Sequence, residues 1–389
     1  YVYFIELGIS KISKRSQLGY IVSNKFMRSN YGKNLREHIT SNANVRRIID
    51  FGELPVFVEA STFPAIIIIE KNYGDDITKI SKVKSLEFRD FSEVVIDNTI
   101  DTVIKNKSSN SWVLASAEKL LIKEKIERDS ISLSEYLDKE IKFGIKTGLN
   151  SAFVIDELKR NEIVEKSPNA ERLLKPAIVG DDVRKYHIDP DNRFLIVIPS
   201  GWTSENSGEI DTEHAWDWFK REYSGIAEHL NKFRESAKTR YDKGKFWWEL
   251  RPCDYYDQIE SKKIVYPDIA KESRFAIDLN GRYPLNTIYF IPREDYFLLS
   301  VLNSPLIFFY MKLSAAVLGD EDARGRLRFF GQYMEEIPLP PLNDANVEIA
   351  HEDLPELSIN TANSSYHEIL THLTKQILDM HEQKQKETS

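Results

Sequence analysis

The sequence predicts an α/β protein in two parts. Strand-like and helix-like stretches alternate through the front of the chain, and from Gly144 onward many short strands are interrupted by helices. One nearly continuous apolar run, Thr62–Glu70 (TFPAIIIIE), has the pattern of a strand buried on both faces. The front part is expected to form the edge of a mostly parallel sheet, and the rear part a mixed α+β domain.

In order, residues 4–13 carry Phe4, Ile5, Ile9 and Ile12 at helical spacing, and Gly19–Val22 reads as a strand. Leu35–Ala43 suits a short helix and Val45–Phe51 a strand. From Lys71 to Trp112 the text turns polar and irregular, which puts a domain boundary near 112. Ala115–Arg128 then reads as a charged helix, and Leu133–Phe143 as a second one capped by Ser132. Strands are expected at Ala152–Ile155, Phe194–Pro199, Lys263–Tyr266, Arg274–Asp278 and Thr287–Ile291, with helices at Ala215–Lys220 and Ile226–Thr239. The proline-rich Ile337–Leu342 can be neither helix nor central strand and is expected to close the domain as an extended segment. Tyr366–Gln385 is amphipathic at helical spacing.

Composition narrows the function. The chain has 389 residues, 41% hydrophobic and 11% aromatic, enough for two or three domains with a sizeable core. Its longest apolar run, Ala65–Ile69, falls far short of the roughly 20 residues that span a bilayer. No membrane partner is expected. One cysteine, Cys253, rules out an internal disulfide framework and suits a reducing cytoplasm. No Cys/His spacing fits zinc, so no metal is expected. The chain opens without Met inside an amphipathic helix, so it is read as a piece of something longer. A net charge of −8 argues against a protein that coats nucleic acid, but local patches set the field that DNA meets.

Four segments carry such patches. In Gly144–Asp156 (GIKTGLNSAFVID) two glycines four apart frame a polar loop before a strand, with Lys146, Thr147 and Asn150 as donors for an anionic backbone. An ordinary turn before a strand would read the same. In Leu173–Tyr186 (LLKPAIVGDDVRKY), Lys175 and Arg184 flank a turn that could equally be plain solvated surface. Asn231–Arg251 (NKFRESAKTRYDKGKFWWELR) holds seven basic and three acidic residues, a local +4. Lys238, Arg240 and Lys245 stand there beside Trp247 and Trp248, the mixture that phosphate contact and base stacking use. The other reading is a helix with a solvated face, and at least one of the two tryptophans is expected in the core. Finally, Arg324, Arg326 and Arg328 alternate, which on a strand puts three guanidinium groups on one face to read guanine edges or hold phosphates. Scattered surface ion pairs are the alternative.

Catalytic patterns are weak. The Gly144 loop is not a P-loop, because no Lys-Ser/Thr follows its second glycine. Pro267-Asp268 is not followed by the acidic-x-Lys of a nuclease, and His187, His214 and His229 have no nucleophile at recognisable spacing. No glycine-rich loop follows a strand as a dinucleotide or S-adenosylmethionine site needs.

Taken in order, GIKTGLNSAFVID, LLKPAIVGDDVRKY, the Ile226–Arg251 stretch ending FWWELR, KKIVYPDIA, RFAID, YFLLSVLNSPLIFFY and YMEEIPLPP resemble the TaqI-like C-terminal specificity domain of adenine methyltransferases and fused restriction-methylation enzymes. Tyr3–Ser13, Gly19–Met27, Val45–Phe57 and Phe63–Lys71 resemble the last motifs of that family's Rossmann-like methyltransferase domain, downstream of its Asn-Pro-Pro-Tyr loop. Neither that catalytic loop nor the cofactor loop occurs in this chain. The resemblance therefore implies a target-recognition unit (residues 113–345) behind the tail of a methyltransferase domain (1–112), with a helical tail (346–389). It implies double-stranded DNA as partner, in a cleft between the two parts, and an upstream catalytic region that would bind S-adenosylmethionine and methylate adenine N6. No catalytic residue and no cofactor are expected in this chain. Phe57, ending FGELPVF, stands where the family packs an aromatic against the extruded adenine, though a plain core role is equally open. A second hypothesis is an interaction module without DNA binding, whose C-terminal helix docks a partner subunit.

Overall fold

The protein is described here from a computed structural model, which covers residues 1–57, 62–71, 77–104, 112–137, 141–315, 317–318, 325–340 and 366–388. The chain divides into two compact units. The first comprises 1–133, 305–328 and 332–341, and the second 134–304, 329–331 and 342–389. Compactness thus divides the chain at Leu133, past the position near 112 expected from composition, and returns a later segment to the first unit. Trp112 and Leu114 lie in the first unit's core, at 6% and 4% exposure.

The first unit is built on a five-stranded sheet of β1 (Gln17–Ser23), β2 (Asn44–Asp50), β3 (Pro64–Glu70), β4 (Ile77–Lys82) and β5 (Thr99–Val103). Its order is β1-β3-β2-β4-β5. The apolar run forms β3, next to the middle of the sheet. Ala65, Ile67 and Ile69 are fully buried against the helices Val2–Lys11 and Lys33–Asn42, through Ile5, Ile9, Leu35 and Ile39. Ile66 packs with Ile49, Phe51, Val83 and Val95 in a second cluster. Alternate side chains of a strand point to opposite faces, so a strand covered on both sides reads as an unbroken apolar run.

The expectation of a mostly parallel sheet is corrected. Strand β3 runs antiparallel to both β1 and β2, and β5 antiparallel to β4; only β2 and β4 are parallel. Alternating helix and strand patterns do not fix strand direction. Here β3 returns between its two predecessors, which needs no crossover helix. The polar stretch after Lys71 is also more regular than expected. It contains β4, β5 and the helix Phe91–Asp97, whose N-cap Asp90 accepts from the Ser92 N–H at 2.7 Å.

The first helix is two-sided. Ile5 and Ile9 face the core, while Tyr3, Phe4 and Leu7 are 81%, 66% and 55% exposed. In the same unit, Pro338–Leu339 pairs antiparallel with Ile131–Ser132, an edge ladder that proline tolerates.

The second unit holds two four-stranded sheets. One runs Tyr283–Pro284, Leu174–Ile178, Arg193–Ile196, Val154–Asp156; the other runs Ala276–Asp278, Lys263–Pro267, Ile288–Ile291, Lys142–Phe143. Three local expectations change. The helix expected over 133–143 spans Leu133–Leu137, and Lys142–Phe143 instead pairs with Tyr289–Phe290. The strand expected from Ala152 starts at Val154, because Asn150–Phe153 makes a helical turn that buries Ala152 and Phe153. The helix expected over Ile226–Thr239 is two, Ser224–Asn231 and Arg234–Thr239. The C-terminal helix Tyr366–Thr388 packs on the helix Tyr296–Leu302, with the rings of His367 and Phe297 stacked 4.7 Å apart. No single described helix is long and apolar enough to cross a membrane.

Candidate nucleic-acid interface

The loop beginning at Gly144 is built by close backbone approach. A Cβ at Gly144 would lie 2.1 Å from the Leu285 carbonyl oxygen, so no other residue fits. The Gly144 and Ile145 N–H groups donate to Ile288 O and Pro284 O at 2.8 and 2.7 Å. Gly148 has φ +68°, the left-handed region that glycine adopts without strain. Between them, the Thr147 hydroxyl donates to Asn150 Oδ1 at 2.6 Å and accepts the Leu149 N–H at 3.0 Å. Thr147 is 1% exposed, so it shapes the loop and cannot reach a DNA backbone. Its neighbours Lys146 and Asn150 are exposed. The Lys146 ammonium stands 4.7 Å from the Phe143 ring centroid.

A second loop, residues 240–251, meets the first through Arg240. This side chain is 7% exposed. One guanidinium nitrogen donates to Thr147 O; the other donates to Glu249 O and, at 3.2 Å, to Trp247 O. The guanidinium also lies 4.1 Å from the centroid of the Phe153 ring. Burial pushes its pKa down to about 10, which leaves it charged at neutral pH. The expectation that Arg240 contacts DNA is therefore corrected: its side chain is buried and its two terminal nitrogens donate inside the fold, clamping one basic loop to the other. Asp242 completes the join, its Cβ 3.1 Å from where a Cβ on Gly148 would sit.

Glu249, which the sequence reading did not single out, is the second fixed point. It is fully buried, and its carboxylate accepts from the N–H groups of Thr203 (3.0 Å), Gly201 (2.9 Å) and Phe246 (3.2 Å). A carboxylate between two tryptophans and a leucine gives little sequence signal, since its role depends on the distant Gly201–Thr203 backbone. Trp247 and Trp248 are 5% and 0% exposed and pack with Trp216, so neither stacks on a base. The aromatic left outside is Tyr241, at 97% exposure.

The surface cations of this loop pair differ in how they are held. Lys238 pairs with Glu235 at 3.0 Å, and Lys245 donates to the Ser204 hydroxyl at 2.8 Å. The Lys243 ammonium donates to Lys238 O at 2.5 Å. Among the described residues, Lys146, Lys243 and Lys245 have no carboxylate partner. An unpaired surface ammonium is ready for phosphate, whereas an exposed pair holds its charge by only ~0–1 kcal/mol and can exchange it.

The remaining expected residues lie elsewhere. In the second unit, Lys175 sits on the strand Leu174–Ile178 and pairs with Glu260 at 2.9 Å. Arg184 follows the turn Gly180–Asp182, held by Asp181 O and by Asp189 at 3.7 Å. In the first unit, Arg326 and Arg328 occupy the strand Arg326–Arg328, both opposite the buried Leu327, with Arg326 the more exposed. Arg324 lies outside the described residues. Phe57, also in the first unit, is 46% exposed.

Residues 1–57 match the Eco57I restriction-modification methylase, and residues 175–339 match the TaqI-like C-terminal specificity domain. The chain carries a TaqI-like specificity domain. The match to that domain includes the Arg240 loop, while the Gly144 loop precedes it. Along most of its length the chain is also similar to whole proteins. It is 24% identical to the type II methyltransferase M.BstVI of Geobacillus stearothermophilus, over 87% of this chain and 61% of that one. It is 22% identical to M.PaeR7I of Pseudomonas aeruginosa, over 87% and 58%, and 22% identical to the type II restriction enzyme and methyltransferase RM.Eco57I of Escherichia coli, over 88% and 36%. The chain thus spans about 60% of the length of the first two relatives.

Proposed function

We propose that this chain is the target-reading portion of an adenine-specific (N6) DNA methyltransferase of a restriction-modification system, and that it binds double-stranded DNA through its specificity domain. The observation that carries the reading is the clamped loop pair. Arg240 fixes two loops together while Lys146, Lys243 and Lys245 project as unpaired cations, in a chain of net charge −8. Such an island meets a phosphate backbone although the rest of the surface repels it. Lys175, Lys238, Arg184, Asn150, Arg326 and Arg328 would add contacts, and Phe57 would stack on the extruded adenine; its 46% exposure leaves the ring available.

In this reading the methyl donor, S-adenosylmethionine, belongs to a catalytic region preceding this chain in the parent enzyme. The described residues of the first unit offer no glycine-rich loop for that cofactor. Among the described glycines of the first unit, Gly8 is in a helix, Gly19 in mid-strand, Gly32 in a single turn, Gly52 in the bend after β2 and Gly325 just before the strand Arg326–Arg328. None sits in a glycine-rich strand-to-helix turn. No step of methyl transfer is assigned to this chain. The exposed stripe of Tyr3, Phe4 and Leu7 suits the catalytic region as its covering partner, since a contiguous apolar face on a surface helix marks an interaction site.

The test is duplex binding by the chain, followed by fluorescence anisotropy from low to moderate salt. Binding whose log affinity falls linearly with log salt is expected. A correctly folded chain with no duplex affinity at low ionic strength overturns the reading, and leaves the interaction module.

A further inference from the structure

We propose that Tyr241 is a base-stacking residue of this interface, inserting its ring against a base at a locally unstacked step of duplex DNA, at the tip of the clamped loop. The inference rests on the DNA-binding reading and adds the residue that supplies its apolar contact. Tyr241 is 97% exposed, the most exposed of the described large hydrophobic side chains. The backbone beneath it is fixed on every side. Arg240, one residue before, is buried in its three carbonyl contacts. Asp242, one residue after, packs on Gly148 and accepts from Arg251 at 3.3 Å. The Lys243 N–H donates to Tyr241 O at 3.0 Å, and the Gly244 N–H to Glu249 O at 3.1 Å. Gly244 is itself required there, since a Cβ would lie 2.5 Å from Leu250 O.

An almost fully solvated tyrosine on a loop anchored by these contacts buries little within this unit. It is, however, pre-organised: two side-chain torsions are all that binding must freeze, and the ring offers a large rigid face with a polar tip. The cations of the loop pair are of the kind that hold phosphates, namely Lys146 on the adjoining loop, Lys243 and Lys245 on its own, and, in the helix Arg234–Thr239, Lys238, whose carbonyl accepts from the Lys243 ammonium. Asp242, the acidic group in that run, is neutralised by Arg251. An exposed aromatic ring beside surface lysines is the combination that stacks an unpaired or unstacked base while the backbone is held. The tryptophans that the sequence offered for this task are in the core, so the task falls to Tyr241.

The experiment uses the whole chain and a fluorescein-labelled duplex selected from a randomised pool. Tyr241→Ala, Tyr241→Phe and Lys243→Ala are compared with the parent sequence by anisotropy over a salt series. Tyr241→Ala is expected to lose roughly 5- to 100-fold in affinity, the range for losing one stacked base, with the salt slope unchanged. Tyr241→Phe keeps its affinity within about twofold, because the ring face remains. Lys243→Ala lowers the slope by about one. Equal affinity for Tyr241→Ala and the parent sequence overturns this inference alone. So does a Tyr241→Phe loss as large as that of alanine, which would assign the hydroxyl. Failure of the parent chain to bind any duplex overturns it together with the DNA-binding reading.

Discussion

Replacing Arg240 by Met tests whether the two basic loops are clamped as described. The substitution keeps an unbranched side chain of similar reach and removes the guanidinium. The buried carbonyls of Thr147 and Trp247 then lose this donor, and that of Glu249 keeps only the Gly244 N–H. Each costs about 1–3 kcal/mol when left unpaired. The lost contact over Phe153 adds about 0.5–2 kcal/mol. Against these stands the relief of no longer burying a charge, worth several kcal/mol in the other direction. The balance is a loss of about 2–4 kcal/mol, in the range for breaking a buried hydrogen-bond network. Guanidinium unfolding followed by tryptophan fluorescence reads it well, because five of the six tryptophans (Trp202, Trp216, Trp218, Trp247 and Trp248) lie in the second unit. With a slope of about 4 kcal/mol/M for a unit of this size, the midpoint should fall by about 0.5–1 M. Arg240→Lys should recover less than half of that, since one ammonium cannot bridge three carbonyls in two directions. A midpoint shift below about 0.1 M for the Met variant, or full rescue by Lys, would refute the clamp.

Further outcomes follow from the same physics. Lys263 and Asp278 form an ion pair at 2.7 Å with both side chains fully buried, and burial holds the lysine below its ordinary pKa. Asp278→Asn should cost about 3–5 kcal/mol, by stranding the lysine charge, and the double change to Met and Leu should cost less than the single one. His229 is 9% exposed with Nε2 2.9 Å from Ala152 O, under the turn that carries Asn150, and burial lowers its pKa. The unfolded chain therefore takes up a proton below about pH 6.5 that the folded chain refuses, so stability falls as pH drops through that value. His229→Gln should remove that part of the acid sensitivity between pH 7.5 and 5.5, as measured by the unfolding midpoint; identical pH dependence in both would contradict it. Phe4→Ser with Leu7→Ser should reduce self-association of the isolated chain in sedimentation while leaving its melting temperature unchanged, since both side chains face outward. A clear drop in melting temperature would mean that they support the fold.

Most strands and helices were legible in the sequence, because period-2 and period-3.6 burial writes directly into residue order. The apolar run of β3 announced a doubly covered strand, and the structure has one. Strand direction was not legible: β3 turns back between β1 and β2, a choice made by tertiary pairing. At the candidate interface the sequence located both loops, yet misassigned several side chains. Thr147 and Arg240 look like surface donors in a polar, basic text, but Thr147 is turned inward onto Leu149 and Asn150 of its own loop, and Arg240 onto the carbonyl of Thr147 far along the chain. Trp247 and Trp248 look available beside so many cations, but they close the core around Trp216. Tyr241 and Glu249 were missed for the converse reason. One residue separates the buried Arg240 from the Asp242–Gly148 contact, and no local pattern says which of three neighbours will point out.

The central claim is that a local basic island reads DNA despite the net charge. The direct measurement is the salt dependence of duplex affinity for the whole chain, its fold verified by circular dichroism. If Lys146, Lys243 and Lys245, with the exchangeable Lys238, meet phosphates, log affinity should fall with log salt at a slope of about −3 to −4, at about −0.9 per phosphate neutralised. A slope near zero, or no binding at low ionic strength, would contradict it.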